Sequence, residues 1–285
     1  MTPFATDSVE LNAKGLSMGS AATMISAPQL VVPQESQWIG SVEFISSTPQ
    51  EACDHVIAIA LRPEGKHVHL ANAYTVALAD QSHHYRATMA APALNFPDGK
   101  PIGWFSRLRR HSPRLNQVRG PQLFLDVFDQ GRFHGIKHFL LGSTPEVLSA
   151  LERELTTKFP GVEIVGLESP PFRALTASEH EEQDALIMAS GAHIVWVGLG
   201  TPKQDVEAHR IADRLPVVAV AIGAAFDFAA GTLKSAPEWM TKSGLEWVFR
   251  FSREPRRLWR RYVFGNARFI KAALTNTHSG NPDED

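Results

Sequence analysis

A single cysteine, Cys53, stands in the 285 residues of the chain. That excludes an intrachain disulfide and any zinc site built on cysteine, and nothing here demands an oxidising compartment. A long apolar run is also missing. The uncharged stretch Gly15–Gln34 is long enough to consider as a span, but it is rich in Ser, Gln, Gly and Pro and would insert poorly. No clustered basic segment leads into an apolar core near the N-terminus, so no signal peptide is expected. There is no repeat at a solenoid period, and no first-strand GxGxxG followed by an acidic residue, which argues against a dinucleotide oxidoreductase. His83 and His84 are adjacent on a helical pattern and project about 100° apart, so they cannot chelate one metal together.

Basic charge is scarce everywhere except at one end. The net charge is −2. Between Arg250 and Lys271, seven arginines and one lysine face only Glu254, which leaves that stretch at +7 and the remainder at −9. An acidic body with one basic end does not suit a protein that coats nucleic acid, and no nucleic-acid partner is expected. The basic end is interleaved with Trp247, Phe249, Phe251, Trp259, Tyr262 and Phe264. Arginine forks hold phosphate oxygens and aromatic rings settle at a lipid–water boundary, so the pattern suits an anionic membrane surface. The same pattern also describes an ordinary surface helix with an apolar stripe.

At 44% hydrophobic and 20% charged residues, the composition is that of a globular protein able to bury a full core. Short apolar runs at Val68–Ala71, Ala93–Phe96, His138–Gly142, Glu163–Gly166, His193–Gly200 and Val217–Gly223 predict buried strands. Helical patterns lie between them at Thr75–Ala90, Ile102–Arg110, Leu123–Phe133, Pro145–Phe159, Ser178–Ser190 and Lys203–Arg214. Alternation at this spacing predicts an α/β fold, a Rossmann-like parallel sheet with helices on both faces, carrying a C-terminal helical Arg-rich appendage. The expected divisions are a flexible leader over 1–37, an α/β catalytic domain over 38–235, the appendage over 236–274 and a disordered tail over 275–285.

In such sheets ligands bind beyond the C-terminal ends of the strands, where helix N-termini point inward. Three sequences occupy such ends. Gly198-Leu-Gly-Thr-Pro-Lys-Gln-Asp205 combines close backbone approach with Lys203, as a phosphate cradle would, although many α/β loops hold two glycines for turn geometry alone. Gly223-Ala-Ala-Phe-Asp-Phe-Ala-Ala-Gly231 places Asp227 in an apolar loop, where it either caps its own loop or takes a ligand hydroxyl. Asn95-Phe-Pro-Asp-Gly99 closes a strand with a common turn tripeptide, and only its position speaks for chemistry at Asp98.

Taken in order, these motifs resemble the WecG/TagA/CpsF family, glycosyltransferase family 26, over roughly Ser41 to Ala273. The resemblance rests on Asn72, Pro97-Asp98-Gly99, Leu140-Leu-Gly142, Phe159-Pro-Gly161, Ile164-Val-Gly166, Gly198–Gln204, Gly223–Gly231, Ala236-Pro-Glu-Trp239, Gly244–Arg250 and Glu254–Arg257. It implies an inverting, metal-independent hexosyltransferase that needs no cofactor. Such an enzyme moves a sugar from a UDP-sugar to a polyprenyl-diphosphate-linked sugar during synthesis of cell-surface polysaccharide or cell-wall polymer. The expected location is cytoplasmic, peripheral to the inner face of the cell membrane, with self-association left open. By the resemblance Asp98 is the general base. Gly142, Gly198, Gly200, Pro202, Lys203, Gln204, Phe226 and Asp227 take the donor. Asn72, Asn95, Arg119, Arg250, Arg253, Arg256 and Arg257 take the acceptor and its diphosphate.

Three positions depart from the family pattern. Leu70 stands where a Thr precedes the Asn, removing a hydroxyl contact. Gln117-Val-Arg-Gly-Pro-Gln-Leu123 replaces Arg-Val-x-Gly-x-Asp-Leu, and Gln204-Asp205 replaces Gln-Glu. The first two also motivate a second reading, a catalytically altered nucleotide-sugar-binding homologue acting as a regulator or partner protein. A third reading is a basic interaction module carried on an α/β scaffold.

Overall fold

The computed structural model describes residues 35–108, 112–223, 225–231, 237, 240, 246–253 and 255–275. Six strands form one parallel sheet: β3 (Lys66–Ala71), β4 (Leu94–Pro97), β5 (Lys137–Gly142), β6 (Glu163–Glu168), β7 (Ile194–Gly198) and β8 (Val218–Ala221). Their order is β4-β3-β8-β7-β5-β6. All six were predicted. A short antiparallel hairpin, β1 (Ser36–Ile39) with β2 (Val42–Ile45), was not.

The strands are nearly continuous runs of Val, Ile, Leu and Ala because both sheet faces are covered. On one face lie α1 (Pro49–Ala60), α5 (Gly120–Gly131), α6 (Pro145–Lys158) and the short α9 (Ala225–Ala229). They bury Val56, Phe124, Phe128, Leu151 and Phe226 against Val68, Leu140, Trp196 and Val220. On the other face α7 (Ala177–Ser190) and α8 (Lys203–Arg214) bury Ile187, Ala208 and Ile211 against Phe139, Val195 and Ala219. A capping box, Thr48 with Glu51, starts α1, and another, Thr176 with Glu179, starts α7.

The predicted helix over Thr75–Ala90 is two helices, α2 (Ala73–Gln81) and α3 (His83–Thr88). Ser82 breaks it: its extended backbone ends α2, and its hydroxyl accepts the Tyr85 N–H to start α3. After β4 comes α4 (Lys100–Ser106).

The C-terminal part contains α10 (Glu246–Arg253) and α11 (Pro255–Thr275). Of these, α11 lies along α2. Its Phe269, Ala272 and Ala273 are buried in a third cluster with Val76 and the hairpin residues Ile39 and Phe44, and the Phe269 ring meets Phe105 edge-on. The expected leader up to residue 34, the Ala236-Pro-Glu-Trp239 motif apart from Pro237, and the tail from 276 lie outside the described residues. Among the described residues no helix is long and apolar enough to cross a membrane.

Candidate active site

Ends of neighbouring strands are level, so residues far apart in sequence meet along one edge. Ala71 pairs with Pro97, Gly142 with Gly198, and Val197 with Ala221. The chain leaves β7 for α8 on one face and leaves β8 for α9 on the other. A point where successive helices part to opposite faces is the usual ligand position in an open α/β sheet.

Asn72 and Asp98 stand side by side at the left of this edge. Asn72 caps α2, its side-chain oxygen accepting the Tyr74 N–H at 3.0 Å. Asp98 follows β4 directly, and its own N–H reaches the Ala71 carbonyl at 2.9 Å. The loop before α5 folds back over it. Val118 N–H bonds the Pro97 carbonyl at 2.8 Å, and the Gln117 side-chain amide donates to the Asp98 carbonyl at 2.7 Å. Asp98 Oδ1 accepts the N–H of Gly120, the first residue of α5, at 2.9 Å. A carboxylate at a helix N-terminus is favoured in its charged form by the free N–H groups and the helix dipole. Arg119, next to Gly120, is the N-cap residue of α5.

At the centre of the edge two glycines are required by contact. Gly142 has φ +123°, and a Cβ there would lie 2.7 Å from the Gly198 carbonyl oxygen. A Cβ on Gly198 would lie 2.6 Å from the Phe226 ring. Ser143, just beyond Gly142, holds a left-handed φ of 60°, uncommon outside glycine, and its carbonyl accepts the Ser169 hydroxyl at 2.7 Å. From Gly198 the chain turns through Gly200 into α8, and Pro202 and Lys203 are exposed at that helix's first turn.

The other residues expected at the ligand are placed as follows. Gln204 is 3% exposed; its Oε1 accepts the Gly200 N–H at 2.9 Å, so it braces the loop from within. The Phe226 ring is buried beneath the same loop and packs near Phe124. Asn95 is one residue into β4 rather than at its end, and its amide ties the Glu43 and Met89 carbonyls at 2.9 Å each. Asp227 lies half-buried in α9. Arg250 and Arg253 fall on α10, Arg256 and Arg257 on α11, with side chains outside the described parts. Glu168, which the sequence reading passed over, ends β6 level with Leu141; burial pushes its carboxyl upward although Gln183 donates to it at 3.0 Å.

A model of the glycosyl transferase WecG/TagA/CpsF family matches residues 38–281. The chain belongs to this family. The match begins within β1 and takes in β2, the whole six-stranded sheet and the helices α10 and α11, so every residue described at the sheet edge falls inside it. As a WecG/TagA/CpsF member the chain is a glycosyltransferase of cell-surface polymer synthesis, a family whose reaction generally joins a nucleotide-sugar donor to a lipid-linked acceptor.

One feature of this family member was beyond sequence reading. Gln117 lies nineteen residues from Asp98, and only the fold-back of the loop brings its amide onto that residue's carbonyl. Leu70, the substitution for a family Thr, is a core residue packed beside Gly120, so that position offers the site no hydroxyl.

Proposed function

We propose that the chain is an inverting hexosyltransferase that takes a sugar from a UDP-sugar, without a metal, and joins it to a polyprenyl-diphosphate-linked sugar at a membrane surface. The observation that carries this reading is the set of bonds around Asp98. The carboxylate is held by Gly120 on one oxygen, level with the glycine loops, and lies on the same edge as the α6 and α8 N-termini.

In the single displacement, the acceptor hydroxyl attacks the anomeric carbon on the face opposite UDP, the new C–O bond forms as the bond to the diphosphate breaks, and Asp98 accepts the hydroxyl proton. A free aspartate has a pKa of about 3.9 and is a weak base in the ground state. It becomes effective as the attacking oxygen grows acidic, a contribution of about 10²–10⁴-fold. The leaving diphosphate collects negative charge. The positive end of the α8 dipole and the exposed Lys203 at its first residue favour that charge on this side of the edge, and the arginines of α10 and α11 supply more. Those arginines also take the acceptor's diphosphate and face the headgroups of an anionic leaflet, which keeps the enzyme peripheral to the membrane.

The deciding experiment incubates the protein with a panel of UDP-sugars and a short polyprenyl-diphosphate-sugar analogue and identifies the product by mass. Transfer from one UDP-sugar with inversion at the anomeric carbon is expected. UDP binding without transfer to any acceptor would favour the regulator reading, for which the neutral Gln117 in a position the family gives to arginine is the supporting observation.

A further inference from the structure

Behind the loop that leads into α8, five polar side chains form one continuous hydrogen-bonded line. Asp205, in the first turn of α8, is 3% exposed. Its Oδ2 accepts the Tyr85 hydroxyl at 2.8 Å, and its Oδ1 lies 3.1 Å from His69 Nδ1. His69 Nε2 lies 2.8 Å from His67 Nδ1, and His67 Nε2 lies 3.3 Å from His209 Nδ1. His67 and His69 are alternate residues of β3 and therefore share the sheet face toward α8. His209 sits one helical turn after Asp205 and is half-buried.

The tautomers follow from the partners. An ionised carboxylate only accepts, so His69 donates to it from Nδ1. In a neutral His69 the other nitrogen, Nε2, must then accept, which obliges His67 to donate from its own Nδ1. His67 Nε2 accepts in turn, from Nδ1–H of His209. Each imidazole dipole points toward Asp205, and aligned hydrogen bonds of this kind strengthen one another in a low dielectric. Burial first, then His69, His209 and Lys66, push His67 down to about 3, which keeps the middle of the line neutral. The arrangement gives each oxygen of the buried Asp205 carboxyl a hydrogen-bond partner, Tyr85 on one and His69 on the other.

We propose that Asp205 is a positioning residue for the nucleotide-sugar donor, and that Tyr85, His69, His67 and His209 orient its carboxylate so that the first turn of α8 holds the donor loop in its binding shape. The inference rests on reading Gly198–Gln204 as the donor loop. Successive residues of a helix project about 100° apart. Asp205 anchors the turn inward to β3 and α3, while Gln204 anchors it forward to Gly200, and Lys203 is exposed on the same turn. Fixing one turn in two directions removes the rocking that would misplace Lys203 and the loop N–H groups.

The test measures UDP binding to the full chain by calorimetry, with thermal melting and turnover at saturating donor. Loss of a hydrogen bond to a charged group is expected to weaken UDP binding about tenfold in His69→Leu and about threefold in Tyr85→Phe, with turnover at saturation within about twofold of wild type. His69→Asn keeps a donor where Nδ1 stood and is expected to restore most of the affinity. In wild type, nitrogen-15 spectra at neutral pH are expected to show His67 and His69 as Nδ1–H tautomers. Tyr85→Phe changes the shape least and serves if His69→Leu does not fold. Lower melting temperatures with unchanged UDP affinity in both variants, or Nε2–H tautomers at His67 and His69, would overturn the inference while leaving the donor site standing. Failure of wild type to bind UDP would sink the donor reading and this inference with it.

Discussion

Asp98 Oδ1 accepts the backbone N–H of Gly120 at 2.9 Å, so the carboxylate that ends β4 also caps a helix twenty-two residues further on. One side chain thus joins the sheet edge to the start of α5. Asn in its place keeps an oxygen for that N–H. Asp98→Asn is therefore expected to melt close to wild type and bind UDP normally, while turnover falls about 10²–10⁴-fold. Sugar transfer to a purified lipid acceptor measures it, and a mutant rate near wild type would remove Asp98 from the role of base.

Gln117 holds the other side of the same residue through the Asp98 carbonyl. Gln117→Ala is expected to lower turnover about tenfold with UDP affinity unchanged, because the loop that orients Asp98 loosens. Gln117→Arg, which restores the family pattern, should stay well above the alanine variant. Equal loss in both variants would mean that the amide itself, and not a donor at that position, is what Asp98 needs.

Gly142 and Gly198 touch through their backbones, and backbone cannot rotate away from an added methyl group. Gly142→Ala also forces alanine to φ +123°. A loss of about 2 kcal/mol or more in stability is expected, with weakened UDP binding. Chemical denaturation measures the first and calorimetry the second; a wild-type denaturation midpoint would show that β5 and β7 can separate at their ends.

Protonation should destabilise the fold as the pH drops. His138 is fully buried, stacked on Phe128 at 3.9 Å between centroids, and its Nδ1 accepts the Trp196 indole N–H at 3.1 Å. Burial pushes it down to about 3, as it helps to do for His67. Unfolded, each histidine takes its proton near pH 6.5, so the unfolded state binds more protons below that value. Stability is therefore full above pH 6.5 and declines toward pH 3, by about 1.4 kcal/mol per pH unit for each histidine. Thermal melts between pH 7 and pH 5 measure the slope, and a flat melting temperature across that window would contradict it.

Truncating the chain before α10 would strip Phe269 and Ala272 from the core as well as remove the arginines, so charge substitution is the cleaner test. Changing Arg250, Arg253, Arg256 and Arg257 together to Gln is expected to leave melting near wild type and to abolish sedimentation with anionic vesicles. Each basic residue near such a surface is worth about 1 kcal/mol. Unchanged sedimentation would reduce this end of the chain to packing.

The strands were legible because a parallel sheet buried on both faces requires unbroken apolar runs, and α8 was legible to the residue because Lys203 and Arg214 bound a clear helical pattern. The hairpin was missed because Ser36, Gln37 and Glu43 leave neither of its strands an unbroken apolar run. For α1, the Thr48–Glu51 capping box is a start signal legible in the sequence. Asn95 and Phe226 show the limit within the site: motif order brings a residue to the right loop, but whether its side chain faces ligand or core depends on register. The Asp205 line had one readable trace, the His-x-His spacing of His67 and His69 on a strand, whereas Tyr85 and His209 join it only through tertiary packing.

Helix α11 runs 21 residues, about 30 Å, with its last turns sunk in the core beside α2 and its first turns carrying Arg256, Arg257, Arg260 and Arg261. A helix anchored at one end behaves as a strut rather than a tether. Its length fixes how far its N-terminal turns stand from the α2 side of the core, so a surface bound by that end would be held at a distance built into the protein.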